Sequence, residues 1–220
     1  MALADTLEEQ ALLEEILDDS KPAVPNDCRQ LHYLLFTPFR YGALYPKGSR
    51  FRRAGLTPGV FYASQSPAIA AAEMAFYRLL FYAESPATPW PSTAGEYTVF
   101  SVKFATGKSL DLTRPPLARD ASKWTSPVDY SHCHALADAA RDAHIDVVRY
   151  RSARADGQNV ALLSCRAFAA RKPADRQVWR MQVGSVGVRA LCSAPPQRLA
   201  FGREAFARDP RIAALNWDLN

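Results

Sequence analysis

Leucine and isoleucine recur at Leu7, Leu12, Leu13, Ile16 and Leu17 with acidic residues between them, a spacing that predicts a short amphipathic helix over residues 7–17, ended by Pro22 and Pro25. An aromatic-rich stretch over 31–36 leads into a basic, glycine-punctuated segment over 40–59 and a short strand over 60–63. Ser66-Pro67 then reads as a helix start, with the serine as N-cap and the proline at the first helical position, where its missing N–H costs nothing. That helix is predicted to run to about Tyr82. Alternation predicts a strand over 97–104, and a helix is predicted over 130–143. Strands follow at 146–150, 160–164, 178–183 and 188–192, the last two joined as a hairpin by Gly184-Ser185-Val186-Gly187. Strands outnumber helices in the second half, which predicts an α+β fold rather than an alternating parallel one. Residues 1–27 read as an acidic helical extension and 28–220 as one domain.

Composition adds limits. The chain has 220 residues, 48% of them hydrophobic and 22% charged, enough apolar side chain for a real core. No run approaches the roughly 18 apolar residues that span a bilayer, and the first residues lack a signal-peptide pattern. A cytoplasmic protein without membrane contact is expected. The four cysteines, Cys28, Cys133, Cys165 and Cys192, form neither a CxxC pair nor a framework, and are expected to be reduced thiols. Residues 1–20 carry seven acids and no base, so the other 200 residues hold 27 bases against 15 acids, a net of +12. Such a body favours an anionic partner: a phosphate-bearing small molecule, a nucleic acid or an acidic protein segment.

Glu73 is the most informative residue. On the predicted helix it shares a stripe with the apolar Ile69, Phe76 and Leu80. A carboxylate there needs a cation, a set of donors or a wet cleft, because burying it unpaired costs several kcal/mol, on the order of the penalty for any lone charge. It reads either as an architectural acid paired with an arginine or as an active-site carboxylate. Upstream stand Phe39-Arg40-Tyr41-Gly42, Gly48-Ser49-Arg50-Phe51-Arg52-Arg53 and Phe61-Tyr62. Arginine forks bind phosphate oxygens in bidentate fashion and glycines admit a bulky anion, so the segment reads either as a pyrophosphate loop or as a solvated basic loop.

Four other signals lead nowhere. Gly107-Lys108-Ser109 lacks the P-loop's earlier glycine, since position 102 is Val102. His132 and His134, two apart on a helix, point in different directions, so no metal site is expected. The same geometry argues against Cys133 and His134 as a nucleophile–base pair. Phe76, Tyr77, Phe81 and Tyr82 read as core or dimer packing rather than as a stacking platform.

In order and spacing, Gly48-Ser49-Arg50-Phe51, Gly59-Val60-Phe61-Tyr62-Ala63, the helix with Ala72-Glu73, Arg149-Tyr150-Arg151-Ser152-Ala153-Arg154 and Asn159-Val160-Ala161-Leu162 resemble the RES domain over residues 31–168. The resemblance implies an ADP-ribosyltransferase-like mixed β core flanked by helices. It implies a toxin of a toxin–antitoxin pair that consumes NAD, works as a homodimer and is blocked by an antitoxin with an Xre-like DNA-binding domain. By position it makes Arg50, Tyr62 and Glu73 catalytic, and assigns Arg40, Tyr41, Arg52 and Ser152 to binding NAD. Phe51-Arg52 stands where the family often has Trp-Asn, so Arg52 or Arg53 competes with Arg50 for the key role. The implied chemistry is cleavage of the nicotinamide–ribose bond with inorganic phosphate, water or a protein side chain as acceptor, and no metal. A protein ADP-ribosyltransferase and a non-enzymatic basic nucleic-acid-binding domain are the rival readings; the NAD-cleaving reading expects no direct nucleic-acid contact.

Overall fold

The computed structural model describes residues 6–41, 48–55 and 57–218. In chain order these form helices α1 (Leu7–Asp19) and α2 (Tyr33–Arg40), strand β1 (Phe61–Ser64), helix α3 (Pro67–Glu84), and strands β2 (Gly95–Phe100) and β3 (Ser109–Asp111). Helices α4 (Ala121–Trp124) and α5 (Ser131–Asp142), strands β4 (Val147–Arg151), β5 (Gln158–Leu162), β6 (Arg176–Gly184), β7 (Gly187–Ser193) and β8 (Pro196–Phe201), and helix α6 (Pro210–Ala213) complete the order. The architecture is α+β. Part of the predicted basic segment, residues 42–47 and 56, lies outside the described residues.

The described strands make two sheets. The first has the order β1-β5-β4-β3 and is mixed: β1, β5 and β4 pair antiparallel, while β3 joins β4 in parallel. Both of its faces are covered. Val148, Tyr150 and Ala161 turn toward Phe51, Leu112 and the Cys133–Ala137–Ala140 stripe of α5, whereas Val147, Leu162 and Phe61 turn toward Leu31 and Leu35 on the α2 side. This one-residue alternation between two cores is what a strand's period of two produces when both faces are buried. The second sheet, β2-β6-β7-β8, is wholly antiparallel. Its inner face, with Trp179, Met181, Val188 and Ala190, packs on Ala75, Phe76 and Leu79 of α3 and on Phe206, Ile212 and Trp217 from the C-terminal segment. Helix α3 therefore lines the second sheet while its N-terminal half reaches the first.

Local signals account for α3. Ser66 caps it, accepting from the Ile69 N–H at 3.4 Å, with Pro67 next; the helix continues to Glu84, two residues past the predicted end. The predicted hairpin forms, with Gly184 paired to Gly187. The strand predicted over 97–104 ends at Phe100: Ser101 still bonds Asp175 in the register of the ladder, and the pairing shifts beyond it, where the Ala174 N–H takes the Ser101 carbonyl.

The cysteine expectation is corrected. Cys28 and Cys165 form a disulfide across 137 residues, and only Cys133 and Cys192 are free, both buried. Folding brings the turn at Asn26–Cys28 against the turn at Cys165–Ala167 in the core beside α2, a proximity that sequence spacing cannot report. Cys165 sits in the turn that follows β5. No helix among the described residues is long and apolar enough to cross a membrane.

Candidate active site

Glu73 stands where α3 meets the β4–β5 hairpin. The strand register sets Ser64, Asn159 and Tyr150 in one cross-strand row and Tyr62, Ala161 and Val148 in the next, on the same face of the sheet. Past Arg151 and Gln158 the hairpin opens into a loop closed by the Ser152 N–H to the Gly157 carbonyl, 3.0 Å. Two donors then converge on a single carboxylate oxygen: Ser152 Oγ and Asn159 Nδ2 each lie 2.7 Å from Glu73 Oε1. Ser152 is itself oriented, since its Oγ accepts from the N–H groups of Arg154 and Ala155 at 3.1 and 3.2 Å. Glu73 Oε2 receives no hydrogen bond among the described residues. Asn159 is buried, and its Oδ1 has no partner either. The corner thus holds one carboxylate oxygen rigidly and leaves its twin available.

Three phenols surround that corner. Tyr77, one turn beyond Glu73, is half-exposed, yet desolvation of its hydroxyl and the neighbouring Tyr130, Glu73 and Tyr62 push its pKa up. Burial also raises Tyr150. Tyr62 leaves 37% of its surface accessible, while its desolvated hydroxyl titrates above the usual tyrosine value despite bonds from Ser49 and Phe51. These groups are therefore neutral donors at physiological pH.

The Tyr62 hydroxyl anchors the turn at 48–53, lying 2.9 Å from Ser49 Oγ and accepting from the Phe51 N–H at 2.9 Å. Ser49 and Arg52 exchange backbone bonds of 2.7 and 3.0 Å. Gly48 has φ +63, and a Cβ there would strike the Arg52 carbonyl, so this position requires glycine. His134 bonds the Ser49 carbonyl at 2.8 Å, and Arg141 donates to that of Phe51 at 2.9 Å. Phe51 is fully buried, edge-on to Tyr150.

Two of the turn's three arginines, Arg50 and Arg52, face inward. Arg50, 8% exposed, donates through both Nη atoms to the carbonyls of Trp124 and Ser126 at 2.7 and 3.0 Å, and lies over the Tyr130 ring. Arg52, equally buried, donates to Thr57 and Tyr41 carbonyls. Arg53 is exposed and pairs with Asp138 at 2.7 Å. Arg40 Nε bonds the Pro22 carbonyl at 2.6 Å, tying the end of α2 to the N-terminal linker. Ser152 and Glu73 thus touch directly, while Tyr62, Glu73 and Arg50 all act electrostatically on Tyr150, and Glu73 and Tyr62 on Tyr77. Arg52 and the Tyr41 backbone belong to the wall behind the turn.

Sequence reasoning passed over two residues as site members. Asn159 is a polar side chain on the core-facing side of an otherwise apolar strand, a signal that periodicity could have supplied. Arg154 packs its guanidinium on the Phe76 ring, 3.5 Å from the centroid, and pairs with the fully buried Asp209 at 3.2 Å. Nothing in the local pattern announces a partner 55 residues away.

No group of three or more His, Cys, Asp or Glu suited to a metal ion occurs among the described residues. Cavities of about 370 and 340 Å³ open elsewhere, beside Cys165 and beside Asp111, and include none of the residues around Glu73. A family model described as the RES domain matches residues 24–184, a stretch holding every residue of the Glu73 corner and of the 48–53 turn, and stopping short of Asp209. No curated protein matches the chain.

Proposed function

The chain belongs to the RES domain family, which is tied to toxin–antitoxin systems and NAD consumption, and from that premise we propose that the corner around Glu73 cleaves the nicotinamide–ribose bond of NAD. One observation carries the reading: a carboxylate fixed through Oε1 by two neutral donors, with Oε2 free and no cation bonded to it among the described residues. An architectural acid would be paired with an arginine; this one is aimed.

Cleavage breaks the bond between ribose C1′ and the nicotinamide nitrogen, the electron pair leaving with nicotinamide, through an oxocarbenium-like transition state. Glu73 Oε2 stabilises the developing positive charge or accepts a hydrogen bond from a ribose hydroxyl, while Ser152 and Asn159 keep the carboxylate from rotating away. Tyr62 and Tyr77, neutral and partly accessible, offer ring faces to nicotinamide, and Tyr77 a hydroxyl as donor. Arg50 contributes the positive field of the turn, which favours the pyrophosphate even though its Nη groups bond carbonyls. An oxygen of inorganic phosphate or of water then attacks C1′, giving ADP-ribose phosphate or ADP-ribose. Residues 28–220 form the catalytic unit. The cell-level consequence is NAD depletion and growth arrest, relieved by an Xre-like antitoxin.

The test is incubation of purified protein with NAD, with and without inorganic phosphate, products being resolved by mass. Nicotinamide release is expected, and its acceleration by phosphate with formation of ADP-ribose phosphate identifies a phosphorylase. Glu73→Gln should stop both turnover and growth inhibition; full toxicity in that variant would sink the mechanism.

A further inference from the structure

We propose that the outer face of the β2-β6-β7-β8 sheet docks the acidic helix α1 of a second copy of this chain. On that face the strand register places Leu191 between Arg180 and Arg198, with Arg189 one row away. The apolar Val178 and Leu191 are about half exposed, at 52% and 49%. The charge is nearly unopposed. Arg180 meets Glu96 at 3.7 Å in a well-exposed pair, and Arg189 and Arg198 have no acidic partner among the described residues. Exposed pairs of that kind contribute little.

The complementary surface belongs to the same polypeptide. Residues 1–20 hold seven acids and no base. In α1 the side chains of Leu12, Ile16 and Leu17 are 50–56% exposed, and Glu8 and Glu15 are exposed as well. An apolar stripe flanked by acids matches an apolar centre flanked by arginines, in sign and in character. The sizes agree too: a helix of 13 residues is about 20 Å long, and seven residues of strand run to a similar length.

Within one chain the two surfaces leave their apolar residues to solvent, so the pairing is between copies. Exchange of α1 across a twofold axis would cover both patches at once. A nucleic acid fits this face less well, because phosphates gain from the arginines but nothing from Val178 or Leu191, and the acidic helix repels them.

Sedimentation of the full chain over micromolar concentrations, with two charge-reversed variants, tests the pairing. The wild type should self-associate, more weakly as salt rises. Arg189→Glu/Arg198→Glu and Glu8→Lys/Glu15→Lys, all at exposed positions, should each weaken self-association at least about tenfold. An equimolar mixture of the two variants should regain it, since each then offers the surface the other needs. A monomeric wild type, association unchanged in either variant, or no recovery in the mixture overturns the proposal. Co-purifying nucleic acid lost with the arginine pair would overturn it as well, in favour of a nucleic-acid face.

Discussion

The turn at 48–53 and the corner at Glu73 are both polar, both partly buried and both within the matched family region, yet they are built on opposite plans. In the turn, charge serves the backbone. Arg50 and Arg52 donate to carbonyls, Arg141 and His134 hold two more, and the Tyr62 hydroxyl joins the Ser49 side chain to the Phe51 N–H. In the corner, neutral groups serve a charge. Ser152 and Asn159 converge on Oε1, and among the described residues Oε2 of Glu73 and Oδ1 of Asn159 have no partner. The turn leaves Arg141 Nε and Nη1 without hydrogen-bond partners too among the described residues, so what sets the corner apart is that its open atom belongs to a carboxylate held by neutral donors, a group that persists partly buried where a ligand completes it. The lesson is that residue type misleads here. Arg50 and Arg52, which in sequence look most like ligand groups, bond backbone carbonyls, and it is the lone acid that the proposed mechanism turns toward the substrate.

The largest effect expected of this contrast is a crossed pair of substitutions. Glu73→Gln keeps an acceptor oxygen for Ser152 and Asn159, so stability should change by less than about 1 kcal/mol, while nicotinamide release should fall on the order of a thousandfold. Arg50→Ala removes a buried cation from two carbonyls and should cost about 3 kcal/mol in denaturant unfolding. An Arg50→Ala protein that unfolds like the wild type but has lost turnover would break the contrast and return Arg50 to the catalytic role its sequence position implies.

A middle-sized effect concerns the anchor behind the corner. Burial alone would push the Asp209 carboxyl up, but hydrogen bonds from the Arg211 side chain and backbone, with the Arg211 and Arg154 charges, outweigh it and hold the carboxyl below the usual aspartate range. A group depressed in the folded state stabilises it above the unfolded pKa, about 3.9 for aspartate. That contribution fades as pH falls through the lower folded value. Asp209→Asn should therefore cost about 2 kcal/mol at neutral pH, and the difference from wild type should shrink below about pH 4, as the wild-type aspartate also protonates. Unfolding curves at neutral and acidic pH measure both. A difference independent of pH would show that the Arg154 and Arg211 pairings are not what Asp209 contributes.

How much of this was legible in the sequence depended on the range of the signal. Helix α3, its Ser66 cap, the 184–187 hairpin and the marked position of Glu73 follow from neighbours within a few residues. Helix α2 was not read as a helix because it carries Pro38 near its end and aromatic residues throughout. Its cap is a histidine ring, His32 Nδ1 accepting from the Leu34 N–H. Strand β3 has three residues and gains its identity from parallel pairing with β4, and β8 opens with Pro196. The Cys28–Cys165 disulfide and the Arg154–Asp209 pair join residues 137 and 55 apart. Such links are properties of topology, which no window of sequence contains. The inward direction of Arg50 belongs with them, since its carbonyl partners lie 74 and 76 residues downstream.

The smallest effect is also the one that tests whether the corner is a positioning device. Ser152 Oγ donates to Glu73 and accepts from two loop N–H groups, so Ser152→Ala acts on both at once. The loop contribution should appear as a stability loss of about 1 kcal/mol. The catalytic contribution should appear as a roughly tenfold lower kcat, because Asn159 still holds Oε1 while the carboxylate gains a rotation it did not have. KM for NAD should change little, since in the proposed mechanism Oε2 rather than the serine meets the substrate. Ser152→Thr restores a hydroxyl to the same place and should recover most of the rate. A merely structural serine would lower stability and leave kcat intact, and a serine that binds ribose directly would raise KM. The division of the loss between kcat and KM therefore tells a hydroxyl that aims the carboxylate from one that touches the sugar.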